Sequence, residues 1–152
     1  MDASGFASLA EHFRDRTVVT YDPRGIGRSE RTDDAGESTP EQHADDLHRL
    51  IAALGGGPVD LFASSGGAVN ALALVVRPDF DALRAASTRI VIGVGAESEG
   101  ELAHRAGAAV AERLGTKAVT FPSHHGGFLG GEFGWGGDPD AFAVTLRQVL
   151  AG

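Results

Sequence analysis

The stretch Leu61–Val69, with the sequence LFASSGGAV, constrains the fold of this chain more than any other. Apolar residues lead into it from Val59 and out of it to Val76, whereas its centre holds only two serines and two glycines. This pattern predicts a strand, a very tight turn and a helix. Such a turn can hold a serine in a strained conformation, with its hydroxyl exposed beside the N–H groups that open the helix.

Strand and helix patterns alternate along the rest of the chain. Short β-branched or apolar runs predict strands over 17–21, 58–63, 89–94 and 117–121. Apolar residues at helical spacing predict helices over 6–14, 40–54, 66–76, 98–114 and 139–150. The alternation indicates a single α/β domain over residues 1–152, with a short, mainly parallel sheet of about four strands.

Right-handed crossovers that all step in one direction would place helices 40–54, 66–76 and 98–114 on one face of this sheet. Helices 6–14 and 139–150 would cover the other face, which gives a three-layer sandwich. The helix 66–76 is apolar nearly all round, so we expect it to be buried.

Three helix starts carry capping signals in the sequence. Thr39 is followed by a proline and then by Gln42, a pattern typical of a capping box. Ser98 with Glu101 repeats the capping-box spacing, with Leu102 facing inward from the helix that follows. Asp138 precedes Pro139 and is expected to open the last helix.

Composition excludes several classes of function. The formal net charge is −8, from 13 basic and 21 acidic residues, and this argues against nucleic acid or an anionic membrane as a partner. The absence of cysteine excludes thiolate metal sites and cysteine nucleophiles. Residues 1–5 lack the pattern of a signal peptide and no apolar run could span a bilayer, so we expect a soluble cytoplasmic protein. We expect no cofactor and no metal, because nucleotide-binding motifs and metal-ligand spacings do not occur.

The serine turn selects one of its two serines. The residues Ala63 to Gly67 fit the pattern small-x-Ser-x-small when Ser65 is the central serine. Choosing Ser64 instead would place Phe62 where a small residue is required. The turn could also be a plain structural turn or an anion site at a helix N-terminus.

Acidic and histidine residues follow the last two predicted strands. Glu97 and Glu99 come after strand 89–94, and His124 and His125 come after strand 117–121. The carboxyl ends of parallel strands meet at one edge of a sheet, where function collects. A serine needs an adjacent base to become a nucleophile, and the base needs an acceptor to fix its tautomer. The chain order of serine, acid and histidine therefore favours a catalytic triad.

The chain resembles the α/β-hydrolase superfamily, in particular its small bacterial esterase-like members. The stretches that carry the resemblance are VVTYDPRGIGRSE, EQHADDLHRLIAALG, VDLFASSGGAVNALAL, RIVIGVGAES and VTFPSHHGGF. The resemblance implies that Ser65 is the nucleophile, His125 the base and Glu97 the acid, a position more often occupied by Asp. The N–H group of Gly66 would be one oxyanion donor.

The sequence departs from that family in several places. The usual fold has eight strands, and its first three strands, one oxyanion loop, a further strand and the lid have no counterpart here. Strands 17–21 and 58–62 would then close up into direct contact, which gives a sheet in sequence order. The loss of one oxyanion donor costs about a hundredfold to a thousandfold in turnover. We therefore expect a weak serine hydrolase that acts on small carboxylic esters or related acyl bonds.

Two alternatives remain open from the sequence. One is a catalytically impaired hydrolase fragment that acts by associating with another chain, for example as a homodimer through an exposed sheet edge. The other is an anion- or nucleotide-binding α/β module. The role of three aromatic residues is also open, since Phe128, Phe133 and Trp135 could either pin a Gly-rich loop to the core or line a substrate pocket.

Overall fold

In the computed structural model of this protein, the described residues are 2–32, 36, 38–75 and 79–152. The helices and strands are, in chain order, α1 (Ala7–Glu11), α2 (Pro40–Ala53), α3 (Gly66–Val75), α4 (Phe80–Ala85), β1 (Gly93–Gly95), α5 (Leu102–Arg113), β2 (Val119–Phe121) and α6 (Pro139–Ala151). The chain divides into two compact units. We call Pro23–Arg89 the central unit, and Met1–Asp22 together with Ile90–Gly152 the terminal unit.

The described residues form one sheet, in which β1 and β2 run parallel. The prediction of about four strands is wrong, because the described segments 17–21 and 58–63 carry no strand pairing. The predicted sheet in sequence order is therefore reduced, among the described residues, to the pair β1 and β2. A strand persists only through hydrogen bonds to a neighbouring strand. Without that pairing their apolar side chains stay open to solvent, as at Val18 and Val59, which are 46% and 52% exposed.

Helices cover both faces of the sheet within the terminal unit. A Cβ atom placed on Gly107 of α5 would lie 2.9 Å from a methyl group of Val94, so α5 approaches β1 closely on one face. Phe121 points to the opposite face, where its ring lies 4.5 Å from that of Phe142 on α6. Helix α1 packs against α6. The predicted three-layer α/β arrangement is confirmed for these elements.

Most of the buried hydrophobic side chains belong to the terminal unit. Those described there are Leu9, Phe13, Val94, Ala111, Leu114, Phe121, Phe128, Leu129, Phe142, Ala143 and Leu146. Phe128 is the most deeply buried aromatic residue, at 2% exposure. Its ring stacks on Phe6 at 5.4 Å and meets Phe142 edge-on at 5.8 Å. Phe128 therefore anchors the Gly-rich segment, residues 126–137, to the core.

An ion pair ties the chain after α1 to α6. Arg147 donates hydrogen bonds to the carboxylate of Asp15, one of them 3.1 Å long, and its guanidinium lies 4.6 Å from the centre of the Phe13 ring. The hydrogen bond from Arg147 lowers the pKa of Asp15 to about 2. This surface contact joins residues far apart in sequence within the terminal unit.

The central unit consists mainly of α2 packed on α3. The predicted capping box is confirmed, because the Thr39 hydroxyl accepts from the N–H of Gln42 at 3.3 Å and the Gln42 amide oxygen accepts from the N–H of Thr39 at 2.9 Å. The prediction that α3 is buried is wrong, since none of its described residues is buried and Val69 is 51% exposed. A helix that is apolar on all sides is buried only when other elements contact all of its sides. Within this unit, α2 is the main element that packs against α3.

The starts of α5 and α6 differ from each other. The predicted capping box before α5 is wrong: Glu101 occupies the cap position, and its side chain makes no capping hydrogen bond. Leu102, which was expected to face inward, is 75% exposed. The start of α6 is as predicted, because the Asp138 carboxylate accepts from the N–H of Ala141 at 2.9 Å. No helix in the described part of the chain is both long enough and apolar enough to cross a membrane.

Candidate active site

Ser65 stands directly before α3 with its backbone at φ +55°, in the left-handed region. Residues other than glycine rarely adopt this conformation, and where they do it often marks a functional turn. The N–H of Gly67 donates to the carbonyl of Ser64 and the N–H of Ala68 to that of Ser65, both at 3.0 Å, which fixes the turn. Ser65 is exposed, whereas Ser64 is half-buried and has no positive φ. The two serines are therefore structurally distinct.

Two glycines follow Ser65 and open α3. The N–H groups in the first turn of a helix have no partner inside that helix, so the N–H of Gly66 is suited to bind an anionic oxygen. A Cβ atom on Gly66 or Gly67 would meet no described atom within 4 Å. The described packing therefore does not require glycine at either position.

The loops that follow β1 and β2 are joined by hydrogen bonds. The N–H of Glu97 donates to the carbonyl of Ser123, and the N–H of His125 donates to Oγ of Ser98, both at 3.0 Å. A Cβ atom on Gly95 would lie 2.6 Å from the carbonyl carbon of His124, so the two loops approach too closely for any other residue there. The structure thus brings the candidate acid and base loops together at one edge of the sheet, as expected for adjacent parallel strands.

The side chains of Glu97 and His125 are less constrained than their backbones. Both residues are exposed, and neither side chain forms a hydrogen bond or ion pair with any residue in the ranges described above. Glu99 is exposed as well. Glu97 is distinguished from Glu99 by the backbone hydrogen bond that ties it to the histidine loop.

His124 has both ring nitrogens engaged within its own loop region. Nδ1 accepts from the N–H of Gly126 at 3.0 Å, and therefore carries no proton. Nε2 carries the proton and donates it to the carbonyl of Gly136 at 2.9 Å. The ring also forms a T-shaped contact with the Trp135 ring, with centroids 6.1 Å apart. Both ring nitrogens of His124 are therefore engaged, whereas the ring of His125 forms no hydrogen bond with a described residue.

Ser98 is a site residue that sequence reasoning assigned to a different role. Its side chain is 1% exposed, and its hydroxyl supports the backbone of His125 instead of capping α5. The partner lies 27 residues away in sequence, so no local pattern could reveal it. The available signal was the position of Ser98 directly after the candidate acid. Strain at Ser123, which has φ +66°, adds a second constraint on the same loop.

The Pro/Gly turn near residue 24 is anchored within the central unit. Arg24 binds both carboxylate oxygens of Asp46 on α2, at 2.9 and 2.6 Å. Hydrogen bonds from this guanidinium hold the pKa of Asp46 below its usual value. Asp22 belongs to the terminal unit, where its carboxylate accepts from the N–H of Ala3 at 2.7 Å.

The candidate residues are divided between the two units. Ser65 and Gly66 belong to the central unit, whereas Glu97 and His125 belong to the terminal unit. Among the residues that the structure describes, no group of three or more His, Asp or Glu side chains is arranged to hold a metal ion.

Comparison with known proteins supports the fold. The family described as alpha/beta hydrolase fold matches residues 2–88, which is more than half of the chain and includes Ser65. The protein named "Uncharacterized hydrolase YraK" from Bacillus subtilis (strain 168) is 43% identical over 77 residues, which cover 50% of this chain and 28% of that protein. No solved structure matches. The parallel sheet with helices on both faces and the match over residues 2–88 lead to one conclusion: this chain belongs to the α/β-hydrolase fold family.

Proposed function

We propose that this protein is a serine hydrolase that cleaves small carboxylic esters or related acyl bonds. The observation that carries the proposal is the backbone of Ser65, which has φ +55° at the start of α3 inside the stretch that matches the family. A serine held in this way presents its Oγ to a substrate and lies beside the first N–H groups of the helix.

In the proposed mechanism, Oγ of Ser65 attacks the acyl carbon while His125 takes the hydroxyl proton. The N–H of Gly66 stabilises the negative oxygen of the tetrahedral intermediate. His125 then returns the proton to the leaving alcohol, and an acyl-enzyme remains. Water, deprotonated by His125, releases the carboxylic acid and restores Ser65.

Glu97 is proposed to orient His125 and to stabilise the imidazolium that forms. Its support is the hydrogen bond from its N–H to Ser123, which ties its loop to the histidine loop. Catalytic hydrogen bonds are often loose without substrate and tighten in the reacting complex. The N–H of Gly66 is the assigned oxyanion donor, and loss of a single donor of this kind costs about a hundredfold to a thousandfold in turnover.

Hydrolysis of p-nitrophenyl acetate by four variants tests this assignment. Ser65→Ala should reduce turnover to the uncatalysed background, whereas Ser64→Ala, the matched control, should retain most of it. His125→Ala should lower turnover by about a hundredfold or more, because proton transfer is lost. Glu97→Gln should lower it more than Glu99→Gln. A Ser65→Ala variant as active as the parent protein would overturn the proposal.

A second candidate function is association with another chain. The segments 17–21 and 58–63 each expose apolar side chains and have no strand pairing; the exposed residues are Val18, Val19, Val59 and Leu61. Exposed valine and leucine side chains in segments of strand-like composition favour addition of a strand from a partner. Sedimentation velocity over a hundredfold range of concentration tests it. A dimer that Val59→Lys dissociates would support this function, and a monomer throughout would contradict it.

A further inference from the structure

We propose that the segment Gly130–Gly136, which we call the aromatic loop, binds an apolar and preferably aromatic group of the ester substrate. The contacts would come from the rings of Trp135 and Phe133. This inference rests on the proposed function, because it names the substrate class of the same site.

The first observation is that the three aromatic residues of the Gly-rich segment divide into two kinds. Phe128 is 2% exposed and serves the core, whereas Phe133 and Trp135 are 55% and 62% exposed. Scattered apolar side chains on a surface are ordinary, but here two large rings separated by one residue stay exposed on one short, closed loop. The core does not use these two rings.

The second observation is that the aromatic loop is held in place by hydrogen bonds. An antiparallel bridge between Gly130 and Gly136 closes it. The carboxylate of Glu132 accepts from the N–H of Ser8 at 2.9 Å and from the N–H of Gly130, which fastens the loop to the N-terminal segment. The N–H of Trp135 donates to the carbonyl of Glu132 at 3.1 Å. Such a frame presents its rings in a fixed arrangement, which reduces the entropy lost when a ligand binds.

Backbone strain marks the same place. Phe133 has φ +59°, in the left-handed region, although it is neither glycine nor asparagine. Strain of this kind persists only where the surrounding structure enforces it, and it concentrates at ligand and active sites. In this loop it occurs at one of the two exposed rings.

The third observation places the aromatic loop beside the candidate base. The carbonyl of Gly136 accepts from Nε2 of His124, and the Trp135 and His124 rings meet at an interplanar angle of 69°, with centroids 6.1 Å apart. His125 is the next residue, one Cα step of about 3.8 Å along the chain. In the proposed complex, one of the two ester substituents lies on the aromatic loop, which contacts the histidine segment through His124.

The chemistry of the loop selects the substituent. Indole and phenyl rings bind other rings edge-on or offset, and they bind alkyl groups less specifically. The net charge of −8 disfavours an anionic substituent. The structure thus assigns this subsite to a neutral aromatic group, such as the benzyl group of benzyl acetate.

The chain contains a single tryptophan, so its fluorescence reports on this loop directly. The probes are two ketones that cannot be hydrolysed: 4-phenyl-2-butanone, which matches benzyl acetate, and 2-pentanone, which matches ethyl acetate. We expect a saturable change in Trp135 emission with the phenyl ketone, at an affinity about fivefold or more above that for 2-pentanone. Equal responses to the two ketones would overturn the inference.

A matched pair of variants separates the aromatic loop from general surface binding. Phe133→Ala should weaken binding of the phenyl ketone by about threefold or more. Leu102→Ala, which removes a side chain that is 75% exposed on α5 of the same unit, should leave it unchanged. Equal effects of the two substitutions would contradict the assignment.

Steady-state kinetics then distinguish this inference from the proposed function. Trp135→Ala should raise KM for benzyl acetate by about fivefold relative to KM for ethyl acetate. Saturable binding of the phenyl ketone by a protein that hydrolyses no ester would overturn the proposed function alone. Turnover that depends on Ser65 but shows no preference for benzyl acetate would overturn the inference alone.

Discussion

The central and terminal units differ both in what holds them together and in what they match. The central unit lies almost wholly within the stretch that matches the family, yet its described residues contribute only Ala44, Leu47 and Leu83 to the buried hydrophobic set. Residues 90–152 lie outside that match, yet they carry the sheet and most of the core. The stretch that matches the family therefore contains the serine turn but little of the buried hydrophobic core.

The difference has a physical reason. A turn such as that at Ser65 is fixed by bonds between residues three apart, so a short sequence can specify it. A sheet needs partners from distant parts of the chain. The predictions below test this contrast, from the largest expected effect to the smallest.

The largest effect is expected in the core of the terminal unit. Phe142→Ala removes a ring that contacts both Phe121 and Phe128, and should lower the free energy of unfolding by about 3–5 kcal/mol. Val144→Ala on the same helix is the control, because Val144 is 59% exposed and its loss should cost less than about 0.5 kcal/mol. Urea unfolding followed by Trp135 fluorescence measures both. Similar losses for the two variants would contradict the assigned core.

Ser98→Ala tests the support of the histidine loop. The substitution leaves the N–H of His125 without its acceptor and should cost about 1–3 kcal/mol in stability. Ester turnover should fall as well, with KM little changed, because the base loses its fixed position. Glu99→Gln, an exposed neighbour, should change neither quantity appreciably. Full activity in Ser98→Ala would show that this hydrogen bond does not position His125.

Glu132 makes the stability of the terminal unit depend on pH. Burial alone would raise the pKa of Glu132, but hydrogen bonds from Ser8 and Gly130 outweigh it and lower the pKa to about 2. A carboxyl whose pKa is lowered by folding stabilises the protein above its unfolded pKa, and this stabilisation disappears as pH falls toward the folded pKa.

Glu132→Gln should therefore lower the melting temperature at pH 7, by an amount equivalent to about 1–2 kcal/mol. The difference from the parent protein should shrink as pH falls from about 4.5 to about 2. Thermal melts of both proteins across this range measure it. A difference that does not vary with pH would rule out the carboxylate as its source.

The smallest effect is expected at the capping box of the central unit. Thr39→Ala removes the hydroxyl that accepts from Gln42 and should cost about 1 kcal/mol. Thr39→Ser should retain most of the stability, since serine caps equally well. Hydrogen exchange at the first amides of α2 gives the local measurement. Unchanged exchange in Thr39→Ala would mean that the cap contributes nothing.

These contrasts also explain which features could be predicted from the sequence. The cap at Thr39, the cap at Asp138 and the serine turn depend on residues within three positions of one another, and each was predicted. The segments 17–21 and 58–63 have strand-like composition, but neither forms a strand, because composition alone does not supply a neighbouring strand.

The candidate site follows the same division. The meeting of the loops after β1 and β2 follows from parallel pairing and was predicted. The role of Ser98 was not predicted. Its hydroxyl could either cap the nearby helix α5 or accept from the distant N–H of His125, and only the folded structure decides between the two. The structural role of His124 likewise depends on the carbonyl of Gly136, which lies 12 residues away.

The most direct test of the central claim is covalent labelling with a fluorophosphonate, which modifies only an activated serine. Digestion and mass spectrometry would then locate the adduct. We predict stoichiometric modification on Ser65, retained in Ser64→Ala and absent from Ser65→Ala. An adduct on Ser64, or a protein that stays unmodified at high probe concentration, would contradict the assignment of Ser65 as the nucleophile.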